Sequence, residues 1–258
     1  MAVMCLIAFA WRAHPRYPLV LAGNRDEFHD RPSAALAEWP DAPGVHGGRD
    51  LRAGGGWLAL SASGRLAAVT NVREPALGGA RRSRGALVAQ FLTGRDGAID
   101  AARGLLPQAA AYGAFNLLLC DGADLAYAGN RPQPHWQAVT PGVHGLSNAA
   151  LDTPWPKTLR LQGALAAWCA AGESDPQALF TALADTDPPD DAALPDTGIG
   201  LAHERFLATP FIRGPVYGTR ASALVWFDHD GGWRFEERRF GPSGRADGVT
   251  VLTGRSNP

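Results

Sequence analysis

The order of the apolar segments is the feature that most constrains how this chain can fold. Short apolar runs bounded by turn residues, which are typical of strands, come in consecutive pairs along the chain. Two stretches with apolar residues at helical spacing interrupt the strands. The regular alternation of strand and helix that builds a doubly wound parallel sheet does not occur. We therefore predict an α+β fold in which helices cover antiparallel sheets.

The predicted elements follow from these patterns. The predicted strands cover 3–11, 17–23, 57–60, 66–70, 115–120, 125–128, 143–146, 216–218, 221–228 and 232–240. The predicted helices cover 84–93, 97–106, 156–171 and 176–184. Polar segments with proline predict loops over 26–50 and 185–195.

The size and composition of the chain favour one domain with a substantial core. Its 258 residues are 46% hydrophobic and 19% charged, so extensive disorder is excluded. No repeat, low-complexity tract or strong linker divides the sequence, so we predict a single domain over 1–258. The 24 basic and 25 acidic residues give a net charge of −1, so nucleic acid is not an expected partner.

Cysteine usage and hydropathy predict a cytoplasmic protein without a metal site. Cys5, Cys120 and Cys169 are an odd number and lack the paired spacing of zinc ligands or disulfide frameworks. No apolar stretch is long enough to span a membrane. The apolar N-terminal run lacks the basic leader and the small-residue cleavage site of a signal peptide.

Cys5 stands at the head of the first apolar run and is the candidate nucleophile. If the chain begins at Met4, or is trimmed to Cys5, one residue supplies both a thiol and a free α-amine. That amine titrates near neutral pH and can take the proton of the thiol, so no separate histidine is needed. The alternative is structural, because most free cysteines are small buried hydrophobic residues.

The second predicted strand is followed directly by a charged cluster, Asn24, Arg25, Asp26 and Glu27. An arginine between polar and acidic residues at the end of a buried strand indicates a compensated ion cluster near the interior. The cluster can be structural and fix the segment that follows it. In a catalytic interpretation the acid orients the Cys5 amine, and the arginine lowers the pKa of the thiol.

Two asparagines, Asn71 and Asn148, also stand at the ends of predicted strands. Their amides are neutral donors suited to a developing oxyanion. Each alone is more often a turn residue, because asparagine is common where strands end. Their occurrence together with Cys5 is what favours a site.

Motifs distributed along the whole chain, in one order, resemble those of a known family. The most specific motif is LAGNRDEF over 21–28, and MCLI over 4–7 precedes it. The other motifs are GGWLAL over 55–60, LAAVTN over 66–71, GAFNL over 113–117, GVHGLSN over 142–148, TPWPK over 153–157 and YGTR over 217–220. Together they resemble the NRDE family, whose eukaryotic members are called transport and Golgi organisation proteins.

The NRDE family in turn resembles N-terminal-nucleophile hydrolases, in particular choloylglycine hydrolases and penicillin V acylases. This resemblance implies a four-layer αββα sandwich, with two antiparallel sheets between helical layers. It also implies a set of site residues, namely Cys5 as the nucleophile, Asn71 and Asn148 as oxyanion donors, and Arg220 as a later arginine of the site.

Two departures from the hydrolase pattern bear on the site. The arginine and the asparagine of the charged cluster are exchanged, which leaves the role of the acid open between Asp26 and Glu27. In addition, residues 1–3 precede Met4, whereas most relatives begin with Met-Cys. Either the chain starts at Met4, or a longer segment is removed, or Cys5 lacks the free α-amine and with it the base.

Two functions remain open. The first is hydrolysis of a non-peptide C–N amide bond in an unknown small molecule, without a cofactor, with Arg25 setting the charge at the amine and Asn24 and Trp57 contacting the substrate. The second is non-catalytic haem binding or haem trafficking, which the family resemblance implies. Since no CxxCH motif occurs, haem would bind non-covalently, through Cys5 or one of seven histidines without consistent spacing.

Two further expectations rest on analogy. A scaffold role in secretory organisation follows only from the name of the eukaryotic family members, and it ranks last. Homo-oligomers are common among the related hydrolases, so a homo-oligomer is allowed, although no segment of the sequence marks an interface.

Overall fold

Two stacked antiparallel sheets form the centre of the fold in the computed structural model, which describes residues 4–74 and 82–256. In these ranges the strands are β1 (Met4–Trp11), β2 (Leu19–Phe28), β3 (Ser33–Trp39), β4 (Ala42–Asp50), β5 (Leu58–Ser61), β6 (Leu66–Asn71), β7 (Phe115–Cys120), β8 (Leu125–Gly129), β9 (His135–Ala138), β10 (Gly142–Leu146), β11 (Tyr217–Phe227), β12 (Gly232–Phe240) and β13 (Ala246–Arg255). The α-helices are α1 (Gly85–Thr93), α2 (Ala98–Leu105), α3 (Pro156–Ala170), α4 (Gln177–Leu183) and α5 (Leu201–Phe206).

The two sheets differ in how the chain assembles them. The seven-stranded sheet has the order β3-β4-β5-β6-β7-β8-β9, so each strand pairs with the next one along the chain. The six-stranded sheet has the order β10-β1-β2-β11-β12-β13, so it joins the N-terminal hairpin to the C-terminal strands. All of these neighbouring strands run antiparallel.

The sheets and helices stack as four layers with three apolar interfaces. In β1, Cys5, Ile7 and Phe9 pack in the core between the sheets, whereas Leu6 and Ala8 pack against α3 and α4. A strand buried on both faces needs apolar residues at every position, which explains its continuous apolar run. On the other side, α1 and α2 cover the seven-stranded sheet. The predicted α+β sandwich of two antiparallel sheets flanked by helices is confirmed.

The predicted loop over 26–50 is wrong. β2 continues to Phe28, and β3 and β4 occupy most of the remaining segment. Tertiary contacts stabilise these strands, because the backbone N–H of Leu36 donates to Glu237 Oε1 at 2.9 Å. Gly47 also allows close approach of β4 to β5, since a Cβ at this position would lie 2.6 Å from Cβ of Ala59. Neither contact is visible in local composition.

Other boundaries differ less. The strands predicted over 216–218 and 221–228 are one strand, β11, with a bulge between Thr219 and Ala221. Besides β3 and β4, two strands and one α-helix were not predicted, namely β9, β13 and α5. The strand predicted over 3–11 is described from Met4 onward, because residue 3 lies outside the described ranges. None of the helices in those ranges has the length and apolar character needed to cross a membrane.

Candidate active site

A cavity of about 370 Å³ opens beside Cys5, between β1 and β2 of one sheet and the strand ends of the other. Five other predicted site residues line it, namely Arg25, Glu27, Trp57, Asn71 and Arg220. Three predicted site residues do not line it, namely Asn24, Asp26 and Asn148. The motifs at strand ends are therefore brought to one place, but not all of their side chains face the same space.

The Cys5 thiol is buried at the wall of this cavity, with 2% of the residue exposed. Burial raises the pKa of the thiol to about 12, and the nearby Asp26 carboxylate acts in the same direction. The thiol is therefore protonated at neutral pH while Cys5 is held in a peptide bond to Met4. A thiol needs a base to become a nucleophile, so a proton acceptor beside Cys5 is the chemical requirement of this site.

The two asparagines, Asn71 and Asn148, are hydrogen-bonded to each other. Asn148 Nδ2 donates to Asn71 Oδ1 at 2.9 Å and to the Asn71 carbonyl at 3.0 Å. Both hydrogens of the Asn148 amide are therefore used, whereas Asn71 Nδ2 lies 4.0 Å from Sδ of Met4, next to the candidate nucleophile. Asn71 lines the cavity and Asn148 does not, so Asn148 orients Asn71. The prediction that Asn148 and the side chain or backbone of Asn71 hold an oxyanion stays a prediction.

Ser147 ties the end of β10 to the candidate nucleophile. Its Oγ donates to the Cys5 carbonyl at 2.9 Å. The Ser147 carbonyl in turn accepts from Thr70 Oγ1 at 2.6 Å, which links β10 to β6 across the two sheets. The sequence motif included Ser147, but its contact with Cys5 depends on the pairing of β1 with β10 and could not be predicted locally.

Strand register places one acid of the charged cluster opposite Met4, the residue that precedes Cys5. β1 and β2 pair so that Cys5 lies opposite Arg25, and Met4 lies opposite Asp26. Asp26 is fully buried; its Oδ1 accepts from Thr219 Oγ1 at 2.7 Å. Its Oδ2 has no hydrogen-bond partner among the described residues. Asp26 therefore has a buried carboxylate oxygen without a described partner, on the residue that pairs with Met4.

Glu27 occupies the cavity side of β2 instead. Its carboxylate lies 3.5 Å from Arg25 Nη2 and 3.5 Å from Arg31 Nε. Its other oxygen accepts from the backbone N–H of Phe28 at 2.9 Å. Glu27 therefore compensates the two arginines, whereas Asp26 keeps one carboxylate oxygen without a partner among the described residues. Which of the two acids pairs with a Cys5 amine stays a prediction.

A buried charge cluster that the site predictions did not include lies near Asp26. Lys157 is 2% exposed, and its Nζ has no hydrogen-bond partner in the described ranges. Burial and the neighbouring Arg73 lower the pKa of Lys157 to about 8, against the opposing effect of Asp26. Arg73 forms a buried ion pair with Glu204 and lies over the Trp155 ring at 4.5 Å. The TPWPK motif supplies two members of this cluster and was the signal that could have indicated it.

Ionisation of Asp26 is expected to make the free energy of unfolding depend on pH between pH 4 and 6. Burial raises the pKa of Asp26 to about 6, compared with about 4 in an unfolded chain. Well below pH 4 the carboxyl is protonated in both states; between pH 4 and 6 the unfolded chain ionises ahead of the folded protein, so the free energy of unfolding falls as the pH rises. Asp26 should lower the free energy of unfolding by about 2–3 kcal/mol across this pH range. The Asp26→Asn variant should not show this decrease.

Urea unfolding of both proteins at steps of pH from 4 to 6 measures the difference. Other carboxylates titrate alike in the two proteins, so they cancel in the comparison. A stability difference that is flat with pH, or that changes in the opposite direction, would show that Asp26 has an ordinary pKa.

Arg220 and Asn24 have structural partners. The bulge in β11 directs Arg220 to the end of β2, where Nη1 donates to the carbonyls of Phe28, His29 and Arg31 at 2.9, 3.3 and 3.0 Å. Asn24 Nδ2 donates to the carbonyls of residues 183 and 210, at 2.8 Å each, on the helical side of β2. The structure therefore corrects the prediction that Asn24 contacts a substrate.

Trp57 forms one wall of the cavity and packs against β2. A Cβ at Gly23 would lie 3.3 Å from Cη2 of Trp57, so the small residue in β2 leaves room for the indole. Its placement on the cavity agrees with the predicted contact to a substrate, which stays a prediction.

The described residues do not provide an evident haem or metal centre. No histidine lines the part of the cavity that the structure describes, and much of the lining is charged. Among residues 4–74 and 82–256 no three His, Cys, Asp or Glu side chains are grouped to hold a metal ion. Haem binding stays a prediction that no observation of this site favours.

Solved structures of known hydrolases share this fold. A mutant of the conjugated bile acid hydrolase from Clostridium perfringens superposes with a TM-score of 0.51 at 8% identity, covering 96% of this chain and 92% of the hydrolase. The N-acylethanolamine-hydrolyzing acid amidase ortholog of Caenorhabditis elegans superposes with a TM-score of 0.51 at 6% identity, covering 86% and 92%. At such identities the similarity establishes the fold and not the activity.

Sequence relatives establish the family. The Transport and Golgi organization protein 2 homolog of Bos taurus is 36% identical over 255 residues, covering 91% of this chain and 92% of the relative. The Homo sapiens homolog is 34% identical with the same coverage. The Drosophila melanogaster protein of that name is 36% identical over 132 residues, which is 45% of each chain. The family model described as Transport and Golgi organisation 2 matches residues 4–242, and this chain therefore belongs to that family.

Proposed function

We propose that this protein is an N-terminal-nucleophile amidase that hydrolyses a non-peptide C–N amide bond, with Cys5 as the nucleophile. One observation carries the proposal. The Cys5 thiol lines a cavity, while a buried carboxylate oxygen of Asp26 without a hydrogen-bond partner among the described residues lies opposite the preceding residue. A free α-amine at Cys5 is the group that would satisfy this oxygen and serve as the base.

The proposal requires hydrolysis of the peptide bond between Met4 and Cys5. Met4 is buried, and its backbone N–H donates to the Tyr217 hydroxyl at 2.9 Å. Departure of Met4 would leave the Asp26 carboxylate and the Tyr217 hydroxyl beside the new amine. The buried cations Lys157 and Arg73 would disfavour protonation of that amine, which keeps it available to accept a proton.

The reaction then proceeds in two balanced halves. The amine takes the thiol proton, Sγ attacks the amide carbon, and the carbonyl oxygen becomes an oxyanion that accepts a hydrogen bond from Asn71 Nδ2. The C–N bond breaks, and the leaving amine receives the proton held by the α-amine, which leaves a thioester. Water, deprotonated by the same α-amine, hydrolyses the thioester, and Cys5 regains its proton as the acid is released.

The test begins with the intact mass of protein expressed from its native gene start. We expect a mass that begins at Cys5, together with acid and amine products when this protein is incubated with a panel of small amides. A mass that retains Met4, with no turnover of the panel, would refute the proposal. A Soret band on haemin titration in that case would support the haem-binding alternative.

The proposal includes a cytoplasmic location. The cysteines at positions 5, 120 and 169 are all unpaired, as expected in a reducing compartment. A homo-oligomer and a small-molecule amide as the partner are part of the same proposal.

A further inference from the structure

The cavity that contains Cys5 has more cations than anions in its wall. Its arginines are Arg25, Arg31, Arg49, Arg84, Arg220 and Arg239. Its acids are Glu27, Asp50, Glu237 and Asp247. The described lining therefore has an excess of two positive charges, although the whole chain has a net charge of −1. A cleft with an excess of one charge raises the local concentration of ligands with the opposite charge.

Most of these arginines already have strong partners. Four of them form ion pairs, Arg25 with Glu27, Arg31 with Asp50, Arg49 with Asp41 and Arg239 with Glu237. A fifth, Arg220, donates to three backbone carbonyls at the end of β2. Four of these arginines are therefore charge-compensated, and the Nη1 of Arg220 is engaged by the backbone.

Arg84 is different. It forms no ion pair with a described carboxylate, and its one described hydrogen bond runs from Nη1 to the carbonyl of Ala114 at 3.0 Å. A guanidinium has five N–H donors, so most of those on Arg84 remain for a ligand. The charge of Arg84 also lowers the pKa of the Cys5 thiol, although burial raises that pKa overall, so Arg84 acts electrostatically at the sulfur.

The fold holds Arg84 in this position. A Cβ at Gly55 would lie 2.4 Å from the carbonyl carbon of Gly85, so only a glycine permits this contact between the segment before Trp57 and the start of α1. Arg84 directly precedes α1, whose first turn has no acidic residue and no side-chain cap. The positive end of the helix dipole therefore adds to the charge of Arg84.

We propose that this cavity accepts an amide that carries an anionic group, a carboxylate or a phosphate, and that Arg84 recognises this group. Trp57 and Val69 form the apolar part of the wall and would contact the uncharged part of the same molecule. The volume of about 370 Å³ restricts the ligand to a small molecule. The amide in this inference rests on the proposed function, whereas the anion preference does not.

Alkylation of Cys5 with a matched pair of reagents tests the inference. Iodoacetate carries a carboxylate where iodoacetamide carries a neutral amide. With each reagent the Sγ–C bond forms as iodide leaves, and the thiol proton passes to solvent. Rate constants at Cys5 come from mass spectrometry of its peptide, with glutathione as the reference thiol. We expect the ratio of the iodoacetate rate to the iodoacetamide rate to be about 10-fold higher at Cys5 than for glutathione.

Variants assign the effect to one residue. In Arg84→Gln the ratio should fall to within about twofold of the glutathione ratio, and Arg84→Lys should retain most of the difference because it keeps the charge. Arg103→Gln removes an arginine on the exposed face of α2 and should leave the ratio unchanged. Slower alkylation of Cys5 in the presence of acetate indicates a carboxylate site, and slower alkylation in the presence of inorganic phosphate indicates a phosphate site. Thermal melting of each variant checks that it is folded.

Three outcomes would overturn the inference. The first is a rate ratio at Cys5 equal to that of glutathione, and the second is an unchanged ratio in Arg84→Gln. The third is a Cys5 that reacts with neither reagent, because a site for an anionic amide must admit the smaller iodoacetate. An anion preference without amide turnover would refute the proposed function alone. Amide turnover without an anion preference would refute this inference alone.

Discussion

Replacement of Cys5 with alanine is expected to lower the rate of acyl transfer by about 10⁴-fold or more, because removal of a catalytic nucleophile leaves only binding and the oxyanion donors. p-Nitrophenyl acetate is a suitable acyl donor, since its attack by a thiol releases a coloured phenolate and leaves an acetyl thioester. The protein processed to Cys5 should give a stoichiometric burst and an acetyl mass on the Cys5 peptide. Both should be absent from Cys5→Ala.

Cys169→Ala is the matched control. Cys169 is also buried and unpaired, but it packs in the helical layer against β1, away from the cavity. Its loss should leave the burst and the acetyl mass at Cys5 unchanged. A burst of equal size in Cys5→Ala would show that acyl transfer occurs at another group, and the assignment of Cys5 as nucleophile would be wrong.

Replacement of Glu204 with glutamine is expected to destabilise the protein by about 3–5 kcal/mol, because it leaves a buried arginine without its counter-ion. The side chains of Arg73 and Glu204 are each 3% exposed, and Glu204 also accepts from the backbone and hydroxyl of Thr197. Glutamine keeps the shape of the side chain and removes its charge. The cluster with Lys157 would then have two cations and only Asp26 as an anion.

Asp100→Asn on α2 is the matched control. It removes an equally charged partner from the ion pair with Arg103, in which both side chains are 64% exposed. Because water screens such a pair, its loss should cost less than about 1 kcal/mol. Urea unfolding at pH 7 measures both changes. If Glu204→Gln and Asp100→Asn destabilise the protein equally, the buried cluster has no special contribution to stability.

Composition and periodicity were enough to predict the class of the fold. β1 and β7 are buried on both faces. β1 is therefore apolar throughout, and β7 is apolar except at Asn116, so both could be recognised without tertiary information. β3 and β4 were missed for the opposite reason. They contain proline, glycine and charged residues, and what makes them strands is contact with β5 and with Glu237 of the other sheet.

The candidate site divides in the same way. The sequence by itself indicated that Cys5, the charged cluster after β2 and the asparagines at strand ends form one candidate site, because these residue types suit one proposed chemistry. Only the tertiary structure decided that Asp26 lies opposite Met4, that Asn148 holds Asn71, and that Lys157 and Arg84 lie near Cys5. Strand register sets which side chains share a face, and packing sets which distant segments meet. Strand register and packing both depend on segments far apart in the chain. The residue types could therefore be read from the sequence, whereas their contacts could not.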